Sequence, residues 1–333
     1  MHKLVENEIL KVIHKKRIVV IIITVAILVS LFAYGEYYRS QRVNERIAER
    51  LGTEYAEDWR LFTEQQLLDH ERRLENPYLT EERSRRLSLE IEQYQYYLEN
   101  DINPSVTGSA TFTRMFMEQS ILLFLPLLVM ILVSDLVSGE FSGKTIKLLL
   151  TRPVSRWKIL TAKMLEMIIL VTLLMAIIFF ISALLSTLVF GQGGWGAPVT
   201  TGFTIIEGRL GYDQVTSVPQ WLYITMIYAL AWYVAVIVGF LTMMLSVLSR
   251  NTGITIGLMM AALIAGSILS FFINDWPAIK YFFVVHLNLI SYLSGNIQPA
   301  GLTLGFSLMI LAAWGSVALF ISYMAFIRQD VLA

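Results

Sequence analysis

Six stretches of this chain are long, apolar and nearly free of charge: residues 18–34, 120–137, 165–190, 221–248, 253–273 and 304–327. A bilayer's hydrocarbon core takes about 20 such residues in one helix. Inside lipid no water satisfies the backbone, so each stretch must be helical if it crosses. The charges sit elsewhere: residues 36–118 hold 28 of the 52. Overall only 16% of residues are charged, against about 25% in soluble proteins. The fold class expected is an all-α polytopic membrane protein with six transmembrane helices. Pro126, inside the second stretch, predicts a kink or break there.

Orientation follows from the short connections. Lys3, Lys11, Lys15, Lys16 and Arg17 precede the first span. Lys144, Lys147, Arg152, Arg156, Lys158 and Lys163 lie between the second and third, and Arg250 and Arg328 fall on the same side. The opposite short loops carry Arg209 and Lys280. Basic residues favour the cytoplasmic side, which places both termini and residues 135–163 in the cytoplasm of a cell-membrane protein. The connection at 36–118 is too long to count. The basic, then apolar, N-terminus resembles a secretory signal, but no small-residue cleavage site follows, so it reads as an uncleaved anchor. With no cysteine there is no disulfide framework.

The chain then divides into four parts. Residues 1–17 form an interfacial amphipathic helix, with Leu4, Val5, Ile9, Val12 and Ile13 on one face. Residues 18–34 are the first span. Residues 35–119 form an extracellular helical hairpin. One arm is marked by Ile47, Leu51, Tyr55 and Phe62, the other by Leu87, Ile91, Tyr94 and Leu98, and Thr80-Glu81-Glu82 is a helix-start signal after Asn76-Pro77. Residues 120–333 form a five-span core with a cytoplasmic segment at 138–158. In the glycine-rich outer loop at 191–220, Gly191, Gly193 and Gly196 spell a literal GxGxxG. No strand precedes it, so the dinucleotide reading fails; a short hairpin near Gly208 and Gly211 is compatible. Gly253, Gly257, Ala261 and Ala265, four apart, make a small-residue stripe for close helix packing, within the chain or against a second copy. Residues 277–293, interrupted by Lys280, His286 and Asn288, read as an outer re-entrant segment or surface helix, with a seventh span as the alternative.

No catalytic constellation is present. His2, His14, His70 and His286 lack metal-ligand spacing, and neither HExxH nor GxSxG occurs. Glu118, Asp135 and Glu166 lie near span ends, where water or headgroups are expected to reach them. The string Gly139-Glu140-Phe141-Ser142-Gly143-Lys144-Thr145 imitates a P-loop but misses by one residue. Four residues must separate the first glycine from Gly-Lys-Thr, and position 138 is Ser138.

The same segment resembles the hallmark stretch of ABC-2 type permeases, membrane subunits of one class of ATP-binding cassette transporters. The resemblance is carried by Ser134-Asp135, Gly139-Glu140, Gly143-Lys144-Thr145, residues 148–150, Arg152-Pro153, Ser155-Arg156 and Lys163; Lys144 between glycine and threonine departs from the pattern. It implies a coupling helix over residues 144–151 docking in a separate cytoplasmic ATPase. Glu140, Lys144 and Lys147 would stand at the rim, with Leu149 and its apolar neighbours inserted and Arg152 and Arg156 on the ATPase or on lipid phosphate; Gly139, Gly143, Thr145 and Pro153 would shape the turns. The implied function is an exporter permease without ATPase motifs of its own, hence not an enzyme. ATP and Mg would reside on the partner, and a second permease chain, the same or related, would complete the pathway in membrane lipid. No nucleic acid partner and no metal site are expected. The competing reading is a membrane sensor or assembly scaffold acting through the extracellular hairpin; an embedded enzyme is weaker.

Overall fold

A computed structural model describes residues 6–8, 17–51, 58–104, 106–146, 154–206, 209–212, 215–272, 278–294 and 302–328. Among them, five helices are long and apolar enough to cross a membrane: Ile18–Val43, Phe124–Ser142, Arg156–Phe190, Gln220–Ser249 and Leu304–Arg328. A sixth apolar helix is shorter, Thr252–Ile268.

Helix α1 (Arg17–Leu51) is continuous over 35 residues. At about 1.5 Å per residue it is roughly 52 Å long, well beyond a ~30 Å hydrocarbon core. Val25, Val29 and Ala33 recur four apart and are buried, while Val19, Val20, Ile23, Ile27 and Leu31 are exposed. One narrow stripe therefore seats the helix and the rest of its apolar surface faces outward. Tyr34, Tyr37 and Tyr38 are exposed further along the helix, as expected of an aromatic belt. Since α1 runs through Leu51, Ile47 and Leu51 belong to it rather than to the first arm of the hairpin.

The hairpin itself is α2 (Trp59–Leu74) and α3 (Glu81–Glu99). Asp58 caps α2, its Oδ1 accepting from Arg60 N at 2.9 Å. Asn76 Oδ1 accepts from Tyr78 N at 3.0 Å, which shapes the turn. Thr80 occupies the N-cap of α3 with extended backbone, as its sequence signal predicts, although its side chain makes no capping bond. Across the arms, His70 Nδ1 lies 3.3 Å from Glu90.

The bundle takes up residues that the sequence placed in the outer domain. In α4 (Ser109–Ser120), Ala110, Phe112, Phe116 and Met117 are buried. A turn at 121–123 separates α4 from α5 (Phe124–Val133). The break thus precedes Pro126, which occupies the first turn of α5, where its missing N–H costs least. Helix α6 (Asp135–Ser142) continues this element. Helices α7 (Arg156–Phe190), α8 (Gln220–Ser249) and α9 (Thr252–Phe272) follow. Helix α8 is the hub, with Ala231, Val234, Ala235, Val238, Met243 and Val247 fully enclosed.

Two antiparallel pairs qualify the all-α expectation: β1 (Pro198–Thr201) with β4 (Thr216–Pro219), and β2 (Thr204–Ile206) with β3 (Arg209–Gly211). The β-branched residues Val199, Thr200, Thr201, Thr216 and Val218 suit such a ladder. Phe203, between β1 and β2, joins Leu89 of α3 in a small second core. Residues 278–294 form 3-10 turns at Ile279–Tyr281 and Phe283–His286, then α10 (Ser291–Ser294). They touch the hairpin end: Gln93 Nε2 donates to Ser294 O at 3.3 Å, and Thr201 Oγ1 to Leu293 O at 2.8 Å. The final helix is α11 (Leu304–Arg328). Its Gly315 crosses α8 closely, since a Cβ there would stand 2.7 Å from Ile237 Cδ1.

Candidate functional site

The end of the bundle opposite the hairpin gathers the charged residues of the hallmark stretch that are described. It is built on a helix that changes course at Ser134, between α5 and α6. Ser246 of α8 repairs the break: its Oγ accepts from Ser138 N at 2.9 Å and donates to Ser134 O at 2.6 Å. A hydroxyl from one helix is thereby inserted into the ladder of another. Ser138 Oγ donates to Ser134 O at 2.7 Å, so Thr252 Oγ1, 2.8 Å from it, is the donor in that second contact. These hydroxyls tie α6 to α8 and α9 where an unsatisfied backbone group would be costly.

Helix α6 ends in a paired-hydrogen-bond turn. Lys144 N donates to Phe141 O at 3.1 Å and Thr145 N to Glu140 O at 3.0 Å, the pattern of a Schellman motif. Lys144 itself takes the left-handed conformation, at φ 56°. Gly143 has an ordinary helical φ of −80°. The expectation that Gly143 supplies the tight turn is therefore corrected: the strained position is Lys144, where a non-glycine residue costs about 1 kcal/mol. The expected coupling helix does not begin at Lys144 either. Lys147, Leu149, Arg152 and Pro153 lie outside the described residues.

The turn holds Glu140 in place. Thr145 Oγ1 donates to one Glu140 carboxylate oxygen. The other oxygen lies 3.4 Å from Lys163 Nζ, and the same ammonium is 2.8 Å from Glu8 Oε2. Lys163 is only 2% exposed, so its charge is stabilised by these carboxylates rather than by water. Lys163 belongs to the hallmark string, and its approach turns the Glu140 carboxylate inward, where the resemblance implies a contact at the rim. Its link to Glu8 has no local signal, because the two residues are far apart in the chain.

Around this cluster, Arg156 Nη1 donates to Ile327 O at 3.0 Å, joining the start of α7 to the end of α11. The Arg250 guanidinium lies 5.4 Å from the Phe141 ring, joining α8 to α6. Trp157 is exposed, with Lys158 beside it. Gly139 is in the body of α6, where a Cβ would approach Asp135 Cβ at 3.3 Å. The structure thus brings Glu140, Thr145 and Lys163 together, and sets Gly139, Gly143, Lys144 and Arg156 close to them in the chain. Glu166, one turn beyond Lys163, is buried, which corrects the expectation that water reaches it.

The small-residue stripe behaves differently from internal packing. Gly253, Gly257, Ala261 and Ala265 are all exposed, while Thr255, Met259 and Leu263 on the other face are buried. The close approach within the chain is at Gly266, where a Cβ would meet Val284 and Phe282 at 2.5–2.6 Å. Among the described residues, no group of three His, Asp or Glu side chains is placed to hold a metal.

The family described as "Protein of unknown function (DUF2705)" matches residues 84–332, from within α3 past the end of α11. The chain belongs to this family. Two relatives come from Bacillus subtilis (strain 168). One, "Uncharacterized protein YhcI", is 29% identical over 244 residues, covering 71% of this chain and 74% of the relative. The other, "Uncharacterized membrane protein YdbK", is 26% identical over 218 residues, covering 64% and 80%. The apolar helices and this second relative agree on a membrane location.

Proposed function

We propose that this chain is the permease subunit of an ABC-2 type transporter, an exporter driven by ATP hydrolysis on a separate ATPase. The observation that carries the reading is the convergence of Glu140, Thr145 and Lys163, the acidic, turn and lysine elements of the hallmark string, on one turn at the charged end of the bundle. Glu140 is immobilised from two sides and Lys144 is held in a left-handed turn beside it. A rigid, charged knob at a helix end is what a coupling element needs, because a compliant one would dissipate the partner's movement. The hydroxyl staple from Ser246 and Thr252 would pass that movement into α8 and α9.

Arg156 and Arg250 share this end with Lys163. By the bias of basic residues it is the cytoplasmic end, with both termini on that side and the hairpin outside. The sixth span is α9, and residues 278–294 enter and leave on the outer side. The exposed stripe at Gly253, Gly257, Ala261 and Ala265 would face a second permease chain. ATP and Mg belong to the partner; this chain contributes the pathway and the handle.

The test is nucleotide hydrolysis by the assembly purified from native membranes. Glu140→Ala should lower ATPase stimulation several-fold while the permease still accumulates. Unchanged stimulation with the partner still bound would count against this turn as the coupling element.

A further inference from the structure

A cavity of about 100 Å³ lies at the hairpin end, between α3, α4, β1 and the start of α8. Its lining includes Tyr97, Asn103, Thr111, Arg114, Thr200 and Gln220. A water-sized group needs only about 10–15 Å³ of such space, so the cavity holds several. Among its lining residues, Arg114 is the cation and there is no carboxylate.

Arg114 is poorly satisfied for a guanidinium. Its Nε is buried and makes no hydrogen bond among the described residues. Its ion pair with Glu118, one turn along α4, is long at 3.9 Å. The Tyr223 ring lies 5.9 Å from the guanidinium, covering it on one side. The wall is meanwhile rigid: Gln220 Nε2 donates to Thr111 Oγ1 at 3.1 Å, and Thr111 Oγ1 to Val106 O at 2.7 Å. A planar fork of donors therefore borders a preformed polar cavity with its hydrogen-bonding capacity unspent, and such a fork matches carboxylate and phosphate oxygens.

We infer that this cavity binds a small oxyanion, a phosphate or carboxylate group, on Arg114. The group arrives either as the headgroup of an anionic lipid or as a free anion. The inference is independent of the transport reading, since it concerns the opposite end of the bundle.

The test uses the full chain, purified in detergent and stripped of anionic lipid. One arm adds phosphatidylglycerol or phosphatidylcholine and counts retained lipids by native mass spectrometry. The other adds inorganic phosphate or acetate and follows the melting temperature. Preferential retention of phosphatidylglycerol, by about tenfold and lost in Arg114→Gln, assigns a lipid headgroup. A rise in melting temperature with phosphate or acetate, absent in Arg114→Gln, assigns a free anion. If Arg114→Gln does not fold, a photoactivatable phosphatidylglycerol and a phosphate-analogue label locate the site on the wild-type chain, and adducts confined to 97–114, 198–200 and 220 support it. Neither effect in the wild type, the same effect in Arg114→Gln, or adducts elsewhere would overturn the inference.

Discussion

Lys163 of α7 holds two carboxylates at once: Glu8, 2.8 Å away, and Glu140 at the end of α6, 3.4 Å away. The N-terminal segment and the candidate docking turn are thus joined through one buried ammonium. Lys163→Met removes the positive charge that both acids share in a buried site, which should cost about 3–5 kcal/mol. Glu8→Gln keeps a hydrogen-bonding group and should cost less. Unfolding of the purified chain in denaturant, with a Glu8→Gln/Glu140→Gln double-mutant cycle, checks both. Additive single effects would mean the two acids do not share the lysine.

Ser246 presents a similar case in neutral form. Ser246→Ala leaves Ser138 N without its acceptor in a buried break, and should destabilise the chain by about 1–3 kcal/mol. Ser267→Ala, which loses only a hydroxyl bonded within its own helix, should be nearly silent. Thermal unfolding of the two variants side by side separates them.

Much of the fold is legible because five of the six apolar runs form helices of the length a bilayer demands, the run at 253–273 giving a shorter apolar helix. The hairpin is legible from Asn76-Pro77 and the Thr80 start signal. The end of the first helix is not, because Ile47 and Leu51 keep the helical period and nothing before residue 52 forbids continuation. Helix α4 is misassigned because the uncharged apolar run begins only at Ser120, after Arg114 and Glu118, yet Phe112, Phe116 and Met117 are buried in the bundle. At the candidate site the glycines draw attention, but the left-handed position falls on Lys144. Glu8 and Lys163 carry no mutual signal, since a pairing across more than a hundred residues leaves no local period.

The two faces of α9 give opposite expectations. Gly266→Ala drives a Cβ into Val284 and Phe282 and should cost about 1–3 kcal/mol. Gly257 has open space around it, so Gly257→Leu should leave the single chain's stability within about 0.5 kcal/mol. On the proposed second-chain reading it should instead reduce self-association several-fold, counted by single-molecule photobleaching in bilayers. An unchanged dimer fraction would remove the stripe from that interface.

His286 sets a pH dependence. Nε2 faces the Lys280 carbonyl at 2.8 Å, so it carries the proton; Nδ1 then accepts from Ser307 Oγ, 2.8 Å away, which in turn accepts from Tyr292. The ring is neutral in this arrangement. Burial pushes its pKa below the ordinary value, with the Lys280 carbonyl opposing. The unfolded chain takes up this proton first, at about pH 6.5. Stability contributed here is therefore complete above that pH and is lost as pH falls towards the lower folded value. Melting temperature should drop between pH 7 and 5 more steeply in the wild type than in His286→Gln; parallel slopes would show that His286 does not titrate on unfolding.

The proposed coupling role requires that the turn at Glu140 and Lys144 grip a separate ATPase. The direct measurement places a photo-cross-linking amino acid at position 144 in the full chain, in its native membrane, and identifies what is captured. A polypeptide with a complete P-loop should be captured in a nucleotide-dependent manner and co-purify with ATP hydrolysis. Capture of lipid alone, from a chain that purifies without hydrolytic activity, would contradict it.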